Sequence, residues 1–351
     1  MTIADLGQLV PAEIDPQTAS REWWRRFHAY RRIRHFEVRP EDPFTPDDLD
    51  EAWMSKDDPF KFRRLFCIDD GERLVSTLVA FAHKPGTPDY DGNRHLLRVE
   101  GDVLKECRRR GMGSGWVPMI LRLMNEYGCT VLTISTEEDN GHAFLKWLGA
   151  DARLRERESR LDFTRLDWQM VGQWVQEGER RNPDTKLILY EDRVPAEVLP
   201  EFCRALTEMV NTAPVEDLDH GGEVFTPETE EERVSELALM NGVRQTYITR
   251  EPGGAISGVT DVVYLPYEGD RIRQGFTGVG MAYRGRGLGK WLKAAMLQYL
   301  RGKYPDTKWV MTGNAHSNDP MLGINHKLGF RLHRENITYQ ISKEKLEDGS
   351  C

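Results

Sequence analysis

The feature that most constrains this chain is that part of it occurs twice. Val103 to Gly113 ends in Arg108-Arg109-Arg110-Gly111-Met112-Gly113, and 176 positions later Val279 to Gly289 ends in Arg284-Gly285-Arg286-Gly287-Leu288-Gly289. In each copy a valine stands five residues before R-x-x-G-x-G. The surroundings repeat as well. Ahead of each loop lies a pair of strand-like runs, Leu65 to Phe81 turning at Asp70-Gly71 and Gln245 to Tyr264 turning at Pro252-Gly253-Gly254. After each come a helical stretch, a β-rich run (Val131 to Ser135; Trp309 to Thr312), a second helix and a Leu-Gly pair (Leu148-Gly149; Leu328-Gly329). A unit used twice implies two domains of one α/β design, and 351 residues exceed what one ordinary core encloses. The pattern predicts an N-terminal extension over 1–19, a first domain over 20–165, a linker helix over 166–184 and a second domain over 185–351. The linker rests on Leu166 to Arg181, an amphipathic run stopped by Asn182-Pro183.

A strand that runs into R-x-x-G-x-G and then into a helix is suited to holding diphosphate. Glycines let the backbone turn tightly and approach closely, while unpaired amides at the helix start, reinforced by the dipole, point at the anion. Two commoner phosphate loops do not fit. The Walker loop would need glycine at Arg284 and Ser or Thr at Trp291, and the dinucleotide loop would need glycine at Lys290 or, in the first copy, Trp116. The helix after the second loop carries Leu288, Trp291, Leu292, Ala295, Met296, Tyr299 and Leu300 at a period near 3.6, an apolar stripe for a sheet. Its first-copy counterpart contains Pro118, which lacks an amide donor and clashes with the preceding turn, so that helix should bend or start late.

Composition narrows the partners. A net charge of -9 is unsuited to general nucleic-acid binding, which needs a basic surface to displace counterions. The arginines at 25, 26, 31, 32 and 34 read as a solvated helix face. The sequence has no leader-like start and no run near the roughly 18 apolar residues that span a bilayer, which predicts a cytoplasmic protein with no membrane partner. Cys67, Cys107, Cys129, Cys203 and Cys351 are scattered with no C-x-x-C, so they are expected to be reduced thiols, with no metal site.

Val279 through Leu292, with Tyr283-Arg284-Gly285-Arg286-Gly287-Leu288-Gly289-Lys290, resembles the acyl-CoA pyrophosphate loop of the GNAT superfamily. Thr312-Gly313-Asn314-Ala315-His316-Ser317-Asn318-Asp319-Pro320-Met321, followed by Ile324-Asn325-His326-Lys327-Leu328-Gly329-Phe330, is similar to the N-x-x-N-x-x-M and N-x-x-LGF pair of tandem GNAT proteins. Met209-Val210-Asn211-Thr212-Ala213-Pro214 resembles their M-N-x-A-P segment, where family members contact the acceptor. The resemblance spans nearly all of 20–345. It implies two tandem GNAT domains, each a mixed, mainly antiparallel twisted sheet flanked by helices, with acetyl-CoA or another short acyl-CoA as cofactor. It assigns pantetheine to the backbone of Val279, Gly280 and Met281, pyrophosphate to Arg284, Gly285, Arg286, Gly287, Leu288, Gly289 and Lys290, and a further cofactor contact to Asn318. The Val279 N–H would also polarise the thioester carbonyl.

The sequence departs from the family in instructive ways. Many members place a tyrosine five residues before the phenylalanine of LGF to protonate the leaving thiolate; this chain has Asn325, which donates a hydrogen bond but has no titratable proton. His316 is nearby and titrates in the useful range. No glutamate lies in Arg271 to Val279, where several members keep a base, which leaves Asp261 on the preceding strand as the candidate and Thr277 as a neighbour on the Val279 face. The first copy keeps Val103, Arg108, Arg110, Gly111 and Gly113, a second candidate CoA site, but has Leu145 in place of Asn325 and reads as a scaffold.

Transfer of a short acyl group to the amine of a small-molecule metabolite or antibiotic-like acceptor, by direct attack in a ternary complex, is the leading reading. The alternatives are a non-catalytic acyl-CoA sensor and acetylation of a cysteinyl amine, as in mycothiol synthase. Asn211, with Asp217 and Asp219 in an acidic stretch free of Lys and Arg, is the expected acceptor side, since carboxylates gather cationic amines. The expected assembly is a monomer or homodimer.

Overall fold

The computed structural model describes residues 11–349, so positions 1–10 of the expected extension and Cys351 lie outside the described residues. Two compact units emerge. Among the described residues, unit 1 comprises 11–155, 217–222 and 336–349, and unit 2 comprises 156–216 and 223–335.

In chain order unit 1 contains β1 (Ala12–Ile14), α1 (Arg21–Val38), α2 (Asp47–Ser55), β2 (Lys61–Asp69), β3 (Leu74–His83), α3 (Tyr90–Asn93), β4 (Leu96–Val103), α4 (Met112–Gly115), α5 (Val117–Tyr127), β5 (Val131–Thr136) and α6 (Asp139–Trp147). β6 (Asp151–Asp162) leads into unit 2, which continues with α7 (Trp168–Arg181), β7 (Lys186–Glu191), α8 (Leu199–Val210), α9 (Pro227–Leu239), β8 (Val243–Arg250), β9 (Ile256–Tyr264), β10 (Arg271–Val279), α10 (Leu288–Lys303), β11 (Trp309–Ala315) and α11 (Asp319–Leu328). β12 (Arg331–Ser342) and α12 (Lys343–Asp348) end the chain.

Each unit has a mixed sheet, β1-β2-β3-β4-β5-β12 in unit 1 and β6-β11-β10-β9-β8-β7 in unit 2. Both hairpins read from the sequence are present, and one pair in each sheet is parallel, β4 with β5 and β10 with β11. The closing strand of each sheet departs from the contiguous division expected at 20–165 and 185–351. Ile337–Ser342 of β12 pairs with β5 in unit 1, and Glu156–Asp162 of β6 pairs with β11 in unit 2. Nothing local in these two runs says which edge they will close; an exposed parallel strand accepts any antiparallel partner of matching face pattern.

Unit 1 packs Trp24, Phe27, Phe66, Leu97, Leu123 and Met124 into one core. In unit 2 the sheet is covered on both faces, by α7 and α10 around Val262, Met296 and Val310, and by α8 around Ile248, Val259 and Phe202. The run expected as a linker is therefore a core helix of unit 2: Val171, Trp174 and Gly178 of α7 are buried, and a Cβ on Gly178 would collide with Trp291. Likewise Ala12–Ile14 of the expected extension pairs with β2. The proline effect appears as read. Trp116 separates α4 from α5, which has Pro118 in its first turn, whereas α10 runs unbroken for 16 residues. No described helix is long and apolar enough to cross a membrane.

Candidate active site

In unit 2 the parallel register between β10 and β11 ends at Gln274–Thr312. Beyond it β10 stays paired with β9 through Val279–Gly258, after an irregularity between Gln274 and Thr277. The strands therefore part, and the residues from Gly275 and Gly313 onward line an opening. Gly280 N–H bonds to Ser257 O at 3.0 Å. Because successive amides of a strand alternate in direction, the Val279 N–H faces away from β9, toward that opening. The Val279 carbonyl accepts from Arg284 Nε at 3.2 Å.

The loop then turns through Gly285 and Gly287, both with φ in the left-handed region (81° and 84°), and places Leu288 and Gly289 at the start of α10. A Cβ on Gly289 would stand 3.7 Å from Val279 Cγ2 and from Ile324 Cδ1, so the helix start is closely approached but not blocked. The cationic side chains are not equivalent. Arg284 is exposed and binds neutral Thr212 Oγ1 at 2.8 Å. Arg286 clamps the loop to its own unit: Nε donates to Asn182 Oδ1 at 3.0 Å, one terminal nitrogen to Thr185 Oγ1 at 2.8 Å, and the other lies 3.1 Å from Glu251. Lys290 lies over Trp174 and pairs with Glu177 at 3.3 Å. Met281 is exposed in the turn before the loop.

Asp261 is buried on β9 beside the point where β10 bends. A Cβ on Gly275 would collide with its Oδ1, which has no hydrogen-bond partner among the described residues. Burial pushes its carboxyl above the usual range, against the opposing pull of Arg244, Arg233 and the Phe276 N–H. Thr277 Oγ1 is bonded to Thr260 Oγ1 at 2.7 Å. Asn325 is buried on α11, donating from Nδ2 to Asn314 Oδ1 at 2.7 Å and accepting at Oδ1 from Lys293 Nζ at 2.6 Å. Nothing in the sequence marks Lys293, whose position interrupts the apolar stripe of α10 like any surface lysine.

The other expected residues have local settings of their own. His316 is exposed in the turn after β11, and Asn318 caps α11, accepting from Met321 N–H at 3.4 Å. Asn211 exchanges two bonds with the Glu223 backbone, 2.8 and 2.9 Å. Asp217 and Asp219 belong to unit 1, where Asp219 Oδ1 lies 3.0 Å from His95 Nε2 and its N–H donates to Gln340 Oε1 at 2.8 Å. The acceptor set is thus divided between the units. The close approach of Gly221 to Gly92, where a Cβ would strike backbone, gives the glycines after Asp219 a packing role.

Unit 1 repeats the geometry with other chemistry. Its parallel register ends at Val99–Ile134, Leu104 N–H bonds to Val75 O, and Arg108 Nε donates to Val103 O at 3.0 Å. A cavity of 910 Å³ opens there, lined by Val103, Arg108, Gly111, Gly113, Phe144 and Leu145 among others. Arg110 lies partly exposed in the same loop. Arg108 is paired with Glu138 at 2.8 Å, and Glu138 also binds buried Arg34 at 2.6 Å. Burial pushes the Glu138 carboxyl up, but the two guanidinia outweigh it and hold it below the usual range. Phe144 crowds the helix start, 3.2 Å from where a Cβ on Gly113 would stand.

Two repeated α/β units, each with a sheet that parts beside a glycine loop, define a tandem GNAT fold. A tandem GNAT protein from the clavulanic acid biosynthesis pathway superposes with a TM-score of 0.70 over 95% of this chain and 98% of its own, at 19% identity. A GCN5-related N-acetyltransferase from Sphaerobacter thermophilus gives 0.60 over 96% of both chains at 13% identity. Yeast N-myristoyltransferase, solved with bound myristoyl-CoA, gives 0.55 over 95% of this chain and 78% of its own at 9% identity. No family model matches the sequence, and no curated protein matches it in sequence.

Proposed function

We propose that this chain is an acyl-CoA-dependent N-acyltransferase whose working site is the opening between β10 and β11 of unit 2. The observation that carries the reading is the conjunction of that opening with an unbroken α10, whose start is reached through two left-handed glycines beside an arginine that, among the described residues, bonds to neutral groups. The backbone of 279–281 and the loop from Arg284 to Lys290 hold an acyl-CoA, acetyl-CoA being the preferred donor. The amine nitrogen attacks the thioester carbon, the Val279 N–H binds the oxyanion, Asp261 takes the amine proton directly or through water, and the C–S bond breaks to release the thiolate. The acceptor is a small-molecule amine, and Thr277 and the α8 end at Asn211 border its approach.

The test is thiol release from acetyl-CoA with a panel of amines. Turnover that Gly289→Glu abolishes supports the reading; turnover that survives Gly289→Glu in a folded protein sinks it. The 910 Å³ cavity of unit 1 favours a second reading for that half, a CoA-sized groove that binds without turning over. Acetyl-CoA stoichiometry in Gly289→Glu, one or zero, decides it.

A further inference from the structure

Lys293 is 1% exposed, and among the described residues no carboxylate bonds it. Its Nζ donates to Asn325 Oδ1, Asn325 donates to Asn314 Oδ1, and Phe330 lies 5.3 Å beneath the ammonium. A lysine ammonium has only donors, so it dictates that Asn325 turns its oxygen inward and its NH2 toward Asn314, and that Asn314 in turn presents its own NH2 outward. Asn314 lies two residues past the last β10–β11 pair, on the part of β11 that borders the opening. In unit 1 the corresponding positions are Val117 and Leu145, both buried and apolar. One unit closes this space with hydrocarbon, while the other spends the desolvation of a lysine on it, which is costly for stability alone.

Resting on the reading above, we propose that Lys293 is a positioning residue for the leaving group: through Asn325 and Asn314 it fixes a row of donors toward the opening and sets a positive charge against the CoA thiolate. No proton travels along the amides. The C–S bond breaks, the sulfur keeps the electron pair and later takes a proton from solvent, and Lys293 retains its own.

Burial by itself lowers Lys293 to about 7, so an anion in the opening would favour its charged form near neutral pH. The charged groups on the packed elements are otherwise engaged. Glu177 of α7 pairs with Lys290, Arg157 of β6, across from Asn314, pairs with Glu335, and Arg273 of β10 pairs with Glu268. Arg244 of β8 pairs with Glu230, Asp261 of β9 packs at Gly275, and His326 and Lys327 of α11 are exposed. None of these contributes to the Lys293 titration.

The experiment is a titration of bound CoA, followed by ultraviolet thiolate absorbance, in the full chain. In the wild type the thiol ionisation constant of bound CoA should exceed that of free CoA by roughly tenfold or more, as expected when a buried cation favours the thiolate. Lys293→Met should remove most of that gain. The double variant Lys293→Val with Asn325→Leu copies unit 1 at both positions, leaves no buried charge, frees only the half-buried Asn314 amide, and should remove it in a protein that still binds CoA. A bound thiol that titrates like free CoA in the wild type, or alike in wild type and double variant, overturns the inference while leaving the acyltransferase reading intact. CoA binding unaffected by Gly289→Glu overturns both.

Discussion

Arg108 and Arg284 stand at equivalent places in the two units, each donating Nε to the carbonyl of a valine five residues earlier, yet their free ends meet different partners. Arg108 is neutralised by Glu138, whereas among the described residues the free end of Arg284 meets Thr212 and no carboxylate. The helices behind them differ in the same sense, α5 restarting after Trp116 and α10 continuous. A backbone loop is thus preserved in both halves, and the groups that could act on an anion differ. Loop shape alone is weak evidence of activity; the side chains around it carry the distinction.

The largest effect that would break this comparison is at the helix starts. Gly289→Glu sets bulk and negative charge against phosphate and should cut turnover at least 100-fold, as loss of several kcal/mol of anion binding implies, while Gly113→Glu should leave most turnover. Equal losses from the two, with folding intact by circular dichroism, would mean two working sites. Asp261→Asn comes next, with kcat lower by on the order of 10² to 10⁴ if it is the base. The wild-type rate should rise with pH through a limb above the ordinary carboxylate range, because burial raises the folded pKa. The same sign governs stability. A raised carboxyl favours the fold while protonated and loses that contribution as pH rises through its folded pKa, so Asp261→Asn should melt higher than wild type at pH 7, the gap closing toward pH 4. Wild-type kinetics in Asp261→Asn would remove it from the mechanism.

A smaller effect sharpens the arginine contrast. Arg284→Ala should weaken acetyl-CoA about tenfold or more by losing a charge-assisted bond, whereas Arg108→Ala, whose charge is spent on Glu138, should change total acetyl-CoA affinity little by calorimetry. The smallest is conformational. Arg109 has φ 62° where unit 2 has Gly285 at 81°, so Arg109→Gly should stabilise unit 1 by about 1 kcal/mol, read as a higher Tm. An unchanged or lower Tm would mean that contacts of the arginine offset its strain.

Much of this was legible because the signals are local. The glycines of both loops, the hairpin turns and the late start forced by Pro118 follow from backbone sterics that single residues impose. Asp261 as a candidate base follows from the absence of a carboxylate on β10. Lys293 was not legible, since its burial depends on α11 delivering Asn325 and β11 delivering Asn314, some 30 and 20 positions along the chain. Nor could the sequence reveal that Arg286 is held by Asn182, Thr185 and Glu251, because a loop arginine looks the same whether it faces an anion or its own scaffold.

By itself, then, the sequence determined a twofold α/β design with a phosphate-suited loop in each half, since repeats, periodicity and glycine spacing act within a few residues. Tertiary structure alone decided which strands close each sheet, that α7 belongs to a core rather than a connection, and that Asp219 is tied to His95 and Gln340 of unit 1. Those outcomes turn on which surfaces meet, and strand edges, apolar stripes and carboxylates are each compatible with several partners until packing and desolvation select one.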